Sequence, residues 1–111
     1  MTTRKLDPNE WRGYFDEVAK SLPTMRVGIS ILGDDIGAQH ESENSALIGI
    51  SFDPKDQMFE VAMANMSHRV QDPKEIYVRE EGGQLSSVEV IAQDGTKQII
   101  ELEPLTSLPA S

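Results

Sequence analysis

From Met25 onward the apolar residues of this chain recur at every second position, in short runs separated by turn residues. A period of two is that of a strand with one buried face. Parallel neighbours need crossover connections of a dozen or more residues, usually helical, and no connection here has that length and pattern. The pattern therefore predicts an antiparallel sheet. Met25, Val27, Ile29 and Ile31 alternate with Arg26, Gly28 and Ser30, and Gly33-Asp34-Asp35 reads as a turn. A short second strand is expected around Ile36 to Gln39, a polar loop over His40 to Ser45, and a third strand with Ala46, Ile48, Ile50 and Phe52 inward. Asp53-Pro54-Lys55-Asp56 carries proline at the second position of a type I turn. Phe59, Val61 and Met63 share one face of a fourth strand. The stretch from Asn65 to Pro73 breaks the alternation and is expected to be irregular, with a short helical turn. A fifth strand follows at Ile76–Glu80. Gly82-Gly83 turns the chain into a sixth, with Val88, Val90 and Ala92 inward. Asp94-Gly95 is a strong hairpin signal, and Ile100 and Leu102 mark a seventh strand.

Ahead of this run stands one helix, expected over Pro8 to Leu22. Asp7 is its N-cap, Pro8 suits the first helical position, and Glu10 completes an acidic capping box. Leu6 and Trp11 occupy the two ends of a hydrophobic staple. Trp11, Tyr14, Phe15, Val18, Ala19 and Leu22 form one apolar stripe, Lys20 suits the C-terminal end, and Pro23 stops the helix. The expected architecture is α+β: an N-terminal helix packed on a strongly twisted, mainly antiparallel sheet or partly closed barrel of about six or seven strands. The 111 residues are expected to form a single domain, with residues 1–5 and 105–111 frayed.

Composition excludes several activities. The chain has no cysteine, which removes disulfides, thiolate catalysis and Cys-based zinc sites and fits a reducing, cytoplasmic setting. Its formal net charge of −9 disfavours nucleic acid and anionic membrane surfaces as partners. The acids are scattered, in runs no longer than pairs such as Asp34-Asp35 and Glu80-Glu81, which favours a solvated surface over mimicry of DNA. No apolar stretch approaches the roughly 20 residues of a membrane helix, and Met1 to Leu6 lacks the apolar run of a signal peptide.

Chemistry-bearing residues are sparse. His68, in Met66-Ser67-His68-Arg69-Val70, is the one candidate site residue, because imidazole can act as a general base near neutral pH. The sequence offers no partner to orient it and no G-x-S-x-G elbow around Ser67, so a structural role holding the loop is the favoured reading. Asp34, Asp35, His40, Glu41 and Glu43 could ligate a metal, but their spacing fits neither an EF-hand loop nor H-E-x-x-H, and a solvated loop is the favoured reading. Asp53 and Asp56 are accounted for by the turn they flank. No phosphate-binding glycine motif is present. No catalytic residue, metal or cofactor is expected.

Several segments together resemble a known family. They are Glu10-Trp11-Arg12-Gly13-Tyr14-Phe15, the run from Leu47-Ile48-Gly49-Ile50 through Phe52-Asp53-Pro54-Lys55-Asp56 to Glu60-Val61-Ala62, and His68 followed by Pro73-Lys74-Glu75-Ile76-Tyr77-Val78. The hairpin at Asp94-Gly95-Thr96 adds to them. The chain resembles a family of small bacterial proteins known as a domain of unknown function, from near Leu6 to near Pro104. The resemblance implies a bacterial single-domain protein and brings no activity.

Three functions are weighed. The first is a non-enzymatic protein-binding or accessory module, acting on a protein partner or by self-association through an exposed sheet edge. The second is a small-molecule binder or hydrolase with a pocket near the 65–73 loop. The third is an acidic antagonist of a basic partner, which predicts acids gathered on one face.

Overall fold

The computed structural model describes residues 2–21, 25–33, 37–64, 66–82 and 84–104. Its strands are β1 (Thr2–Lys5), β2 (Met25–Gly33), β3 (Gly37–Asp53), β4 (Met58–Met63), β5 (Ser67–Gln71), β6 (Glu75–Glu81), β7 (Gln84–Ile91) and β8 (Lys97–Pro104). A 3-10 turn (Pro8–Glu10) leads into helix α1 (Trp11–Ser21). All strand pairs are antiparallel, in the order β1-β6-β7-β8-β2-β3-β4-β5, and the sheet is not closed. The α+β class stands, with eight strands in place of six or seven. Two expected strands merge into one, and two segments expected to be frayed or irregular each add a strand.

The merged strand is β3. Residues 40–45, expected as a loop, keep pairing with β2 through Ser30↔His40, Ile29↔Ser42 and Val27↔Ser45. Polar composition argued for a loop, but a neighbouring strand offering a ladder on one side satisfies the backbone and overrides propensity. Past residue 46 the same strand pairs with β4 instead. A bulge between Leu47 and Gly49 shifts the register there. The extra residue breaks the in–out alternation: Ile50 and Phe52 are buried as expected, whereas Ile48 is 70% exposed.

The first added strand is β1, which pairs with β6 from Thr2↔Glu80 to Lys5↔Tyr77. Its four residues carry no apolar alternation. The free edge of β6 and the buried Leu6, whose N–H donates to Ile76 O at 2.9 Å, hold it in place. The second is β5. His68 and Val70 face inward while Ser67, Arg69 and Gln71 face solvent. The period of two is there, with a histidine at one of its buried positions. Residues 105–111, the Gly33-Asp34-Asp35 turn beyond Gly33, Leu22, Pro23 and Gly83 fall outside the described residues.

The helix starts as its sequence dictates. Asp7 Oδ1 accepts from Asn9 N–H at 2.8 Å, and Glu10 Oε2 accepts from Asp7 N–H at 3.0 Å. This capping box satisfies donors the first turn leaves orphaned. The stripe is buried at Trp11 and Phe15 and half-buried at Tyr14 and Val18, whereas Ala19, expected in it, is exposed. Trp11 meets Phe52 edge to face at 5.1 Å between ring centres, and Phe15 meets Phe59 at 5.3 Å. The helix thus covers the inward faces of β3 and β4.

The sheet curls over its own core. In a flat sheet β5 and β8 would stand four strand spacings apart, about 19 Å. Yet His68 on β5 hydrogen-bonds Gln98 on β8. The β5–β6 corner also reaches the far end of β7: Lys74 N–H donates to Ile91 O at 2.7 Å, and Gln93 Nε2 donates to Asp72 O at 3.2 Å. Valines, isoleucines and phenylalanines from β2 to β8 fill the enclosed space, and burial of this apolar surface is the main stabilising term.

Candidate functional site

His68 sits in the middle of β5, directly opposite Val61 of β4. The antiparallel register carries its ring to the inward face beside Val70, and the residue is 9% exposed. Its Nε2 faces Oε1 of Gln98, the second residue of β8 and itself half-buried. An amide oxygen only accepts, so Nε2 is the donor in this contact and Nδ1 is left for another partner. Residues expected near one another in an irregular loop are thereby separated. Ser67 and Arg69 point outward, Arg69 Nε donates to Glu60 Oε2 at 3.0 Å, and His68 points in.

The general-base reading of His68 called for a partner carboxylate and a pocket. The partner is an amide and not a carboxylate. The cavities described on the surface lie elsewhere. Two of them, of about 500 Å³ and about 260 Å³, lie side by side on the outer face of the sheet, where both are lined by Arg79, Ser87 and Glu101. These three are neighbours in one cross-strand row, Gly28↔Glu101↔Ser87↔Arg79↔Thr3, running from β2 to β1. Glycine and the short hydroxyl side chains leave a floor, with the longer charged residues rising around it. The flanking charges are mixed, with Arg26 and Arg79 among Glu81, Glu89, Glu101 and Glu103. Tyr77 lines the smaller cavity. Its hydroxyl donates to Glu75 Oε1 at 2.9 Å, a bond that together with desolvation holds the phenol protonated above its ordinary range.

A third cavity of about 420 Å³ runs between α1 and β3–β4, over Ala19, Gly49 and Ala62. Of the expected metal candidates, Asp34 and Asp35 lie outside the described residues, as do the side chains of His40, Glu41 and Glu43. Among the described residues no group of three or more His, Asp or Glu side chains forms a metal-ligating set. Asp53 acts in its turn, accepting from Lys55 N–H at 2.9 Å. Among the described residues no helix is long and apolar enough to cross a membrane.

Sequence reading missed the outer groove. Its signal was the run of small residues, Gly28 and Ser30 on one strand and Ser86-Ser87 on another. That signal becomes a surface only when β8 joins β2 to β7.

No solved structure matches the chain significantly. A protein of Aquifex aeolicus (strain VF5) carrying the name "uncharacterized protein" is 39% identical over 110 residues, covering 98% of this chain and 99% of its own length. Residues 2–111 match a family of unknown function. The chain therefore belongs to the bacterial family of unknown function DUF5335.

Proposed function

We propose that this protein is a small non-enzymatic binding module that engages a protein partner through the outer face of β6, β7, β8 and β2. The observation that carries the reading is the pair of adjacent cavities around Arg79, Ser87 and Glu101, set on a continuous sheet rather than on a loop. A rigid scaffold presents such side chains with little ordering cost on binding. The groove carries both signs of charge, so it suits a partner segment with acidic and basic side chains, recognised by complementary pairs. The hydrolase reading has less support, because His68 meets an amide and lines neither outer cavity. The antagonist reading has less support too, since Arg26 and Arg79 stand among the acids of this face.

Affinity capture from bacterial lysate at low and high salt tests the proposal when run with Ser87→Trp and Glu101→Lys beside the parent. A stoichiometric partner retained by the parent and lost by both folded variants supports it. A partner retained by both variants, or none in any sample, overturns it.

A further inference from the structure

The β4–β5 hairpin brings two methionines and the buried histidine into one corner of the interior. Val61 stands opposite His68 and Ala62 opposite Ser67. Met63 N–H donates to Met66 O at 2.8 Å, which carries the same register one step further and sets Met63 opposite Met66. Opposite residues of an antiparallel pair project from the same face, and residues two apart on one strand also share a face. Met63, Met66 and His68 therefore lie on the inward side together. Met63 is buried, and Met66 is half-buried and packed against the core.

We propose that Met63, Met66 and His68 form a binding site for a soft monovalent cation, Cu(I). Three observations converge. Opposite positions on a strand pair lie about 5 Å apart and same-strand neighbours about 7 Å apart, distances that two flexible thioethers and an imidazole span around one ion. The ligand set is neutral and soft, which selects Cu(I) and gives no hold on Mg²⁺ or Ca²⁺, whose sites are built from carboxylate oxygens. The third is Gln98. Metal-binding histidines donate their other ring N–H to a carbonyl or carboxylate, which fixes the tautomer and the ring plane. His68 Nε2 donates to Gln98 Oε1 in this way, which leaves Nδ1 as the ligating atom.

This site is separate from the outer groove, and the two proposals stand or fall apart. Met58 does not contribute, because it lies at the far end of β4 opposite Gln71. No cysteine is present to compete for the ion. The half-exposed Met66, beside the hairpin turn, gives the ion its entry.

The test titrates the full-length protein with Ag(I), a redox-inert stand-in, and with Cu(I) under reductant against a chromogenic Cu(I) chelator. Native mass spectrometry reads the stoichiometry, and the methyl resonances of Met63 and Met66 report their sulfurs. One equivalent should bind, both methyl signals should shift, and the melting temperature should rise with ligand concentration. Met66→Leu keeps volume and should fold normally, yet lose at least tenfold in affinity. His68→Gln should lose as much, Gln98→Leu should lose about 10- to 100-fold, and Met58→Leu, at the far end of β4, should change nothing. Should His68→Gln fail to fold, Met66→Leu and the methyl shifts decide alone. Absence of an equivalent bound in competition with the chelator, or binding unchanged in Met66→Leu, overturns the proposal.

Discussion

The Tyr14 hydroxyl donates to Glu80 Oε2 at 2.6 Å and so ties α1 to the end of β6. The pair belongs to a larger knot. The Arg4 guanidinium lies 5.5 Å from the centre of the Tyr14 ring and donates to Glu10 Oε1 at 3.1 Å, while Glu10 closes the capping box on Asp7. One cluster thereby fastens β1, the 3-10 turn, the helix and β6. The Arg4–Glu10 ion pair is itself exposed and worth little. The half-buried part of the knot, the phenol on a carboxylate, is the part that should register in stability.

Tyr14→Phe removes that hydrogen bond while keeping the ring, and a bond to a charged acceptor is worth about 1.5–3 kcal/mol. Because the site is only half-buried, the expected loss is about 1.5 kcal/mol in chemical denaturation, with the denaturant slope unchanged. Burial, and then the bond to Glu80, raise the Tyr14 hydroxyl well above the ordinary tyrosine value of 10.0. A raised folded value means its stabilisation is complete below pH 10.0 and is lost as pH rises toward the folded value. The parent should therefore weaken between pH 10 and 11 more steeply than Tyr14→Phe, as urea midpoints across that range would show.

At the acid end the sign reverses. Glu10 accepts from the Asp7 backbone N–H and then from Arg4, and both hold its carboxyl below the ordinary value of 4.5. A depressed folded value gives stability that is present above 4.5 and lost as pH falls through the lower folded value. Glu10→Gln should flatten the acid limb of a melting-temperature curve below pH 4.5 and change little at pH 7 beyond the weakened cap. Equal acid slopes in parent and variant would refute this account of the cap.

The bulge in β3 makes a sharper prediction. Simple alternation assigns Ile48 and Ile50 the same face, whereas the structure exposes the first and buries the second. Ile48→Ser should then change stability by no more than about 0.5 kcal/mol. Ile50→Ala, which opens a hole in the core, should cost about 2–5 kcal/mol. Similar costs at the two positions would mean that β3 pairs with β4 without a bulge.

These residues also mark what was legible in the sequence and what was not. Asp7-Pro8-Asn9-Glu10 fixed the helix start because capping is local chemistry, decided within four residues. The alternation in β2, β4 and β8 was legible for the same reason. The long β3 was not, since residues 40–45 are strand only because β2 lies beside them. The start at β1 depends likewise on the edge of β6. At His68 the residue type drew attention, but its inward orientation follows from a pairing with β4. Its partner Gln98 lies 30 positions away and meets it only because the sheet curls. The outer groove needs the pairing of β8 with β2, a contact between opposite ends of the strand run that no local pattern encodes.

The single tryptophan offers the last test. Trp11 is 3% exposed, with its ring edge to face with Phe52, and among the described residues its Nε1 is the buried side-chain polar atom without a hydrogen-bond partner. An unpaired buried donor carries a desolvation cost of about 1–3 kcal/mol, which offsets part of what the large ring contributes by packing. Trp11→Phe removes the unpaired donor along with some volume, so the two effects oppose each other. Its net cost should stay below about 1.5 kcal/mol. Phe15→Ala, one helical turn on and without such an offset, should cost about 3–5 kcal/mol. The fluorescence of Trp11 should be blue-shifted in the folded parent and move to the red on unfolding, reporting release of the helix from β3. If Trp11→Phe costs as much as Phe15→Ala, the indole N–H has a partner in solution and the offset is absent.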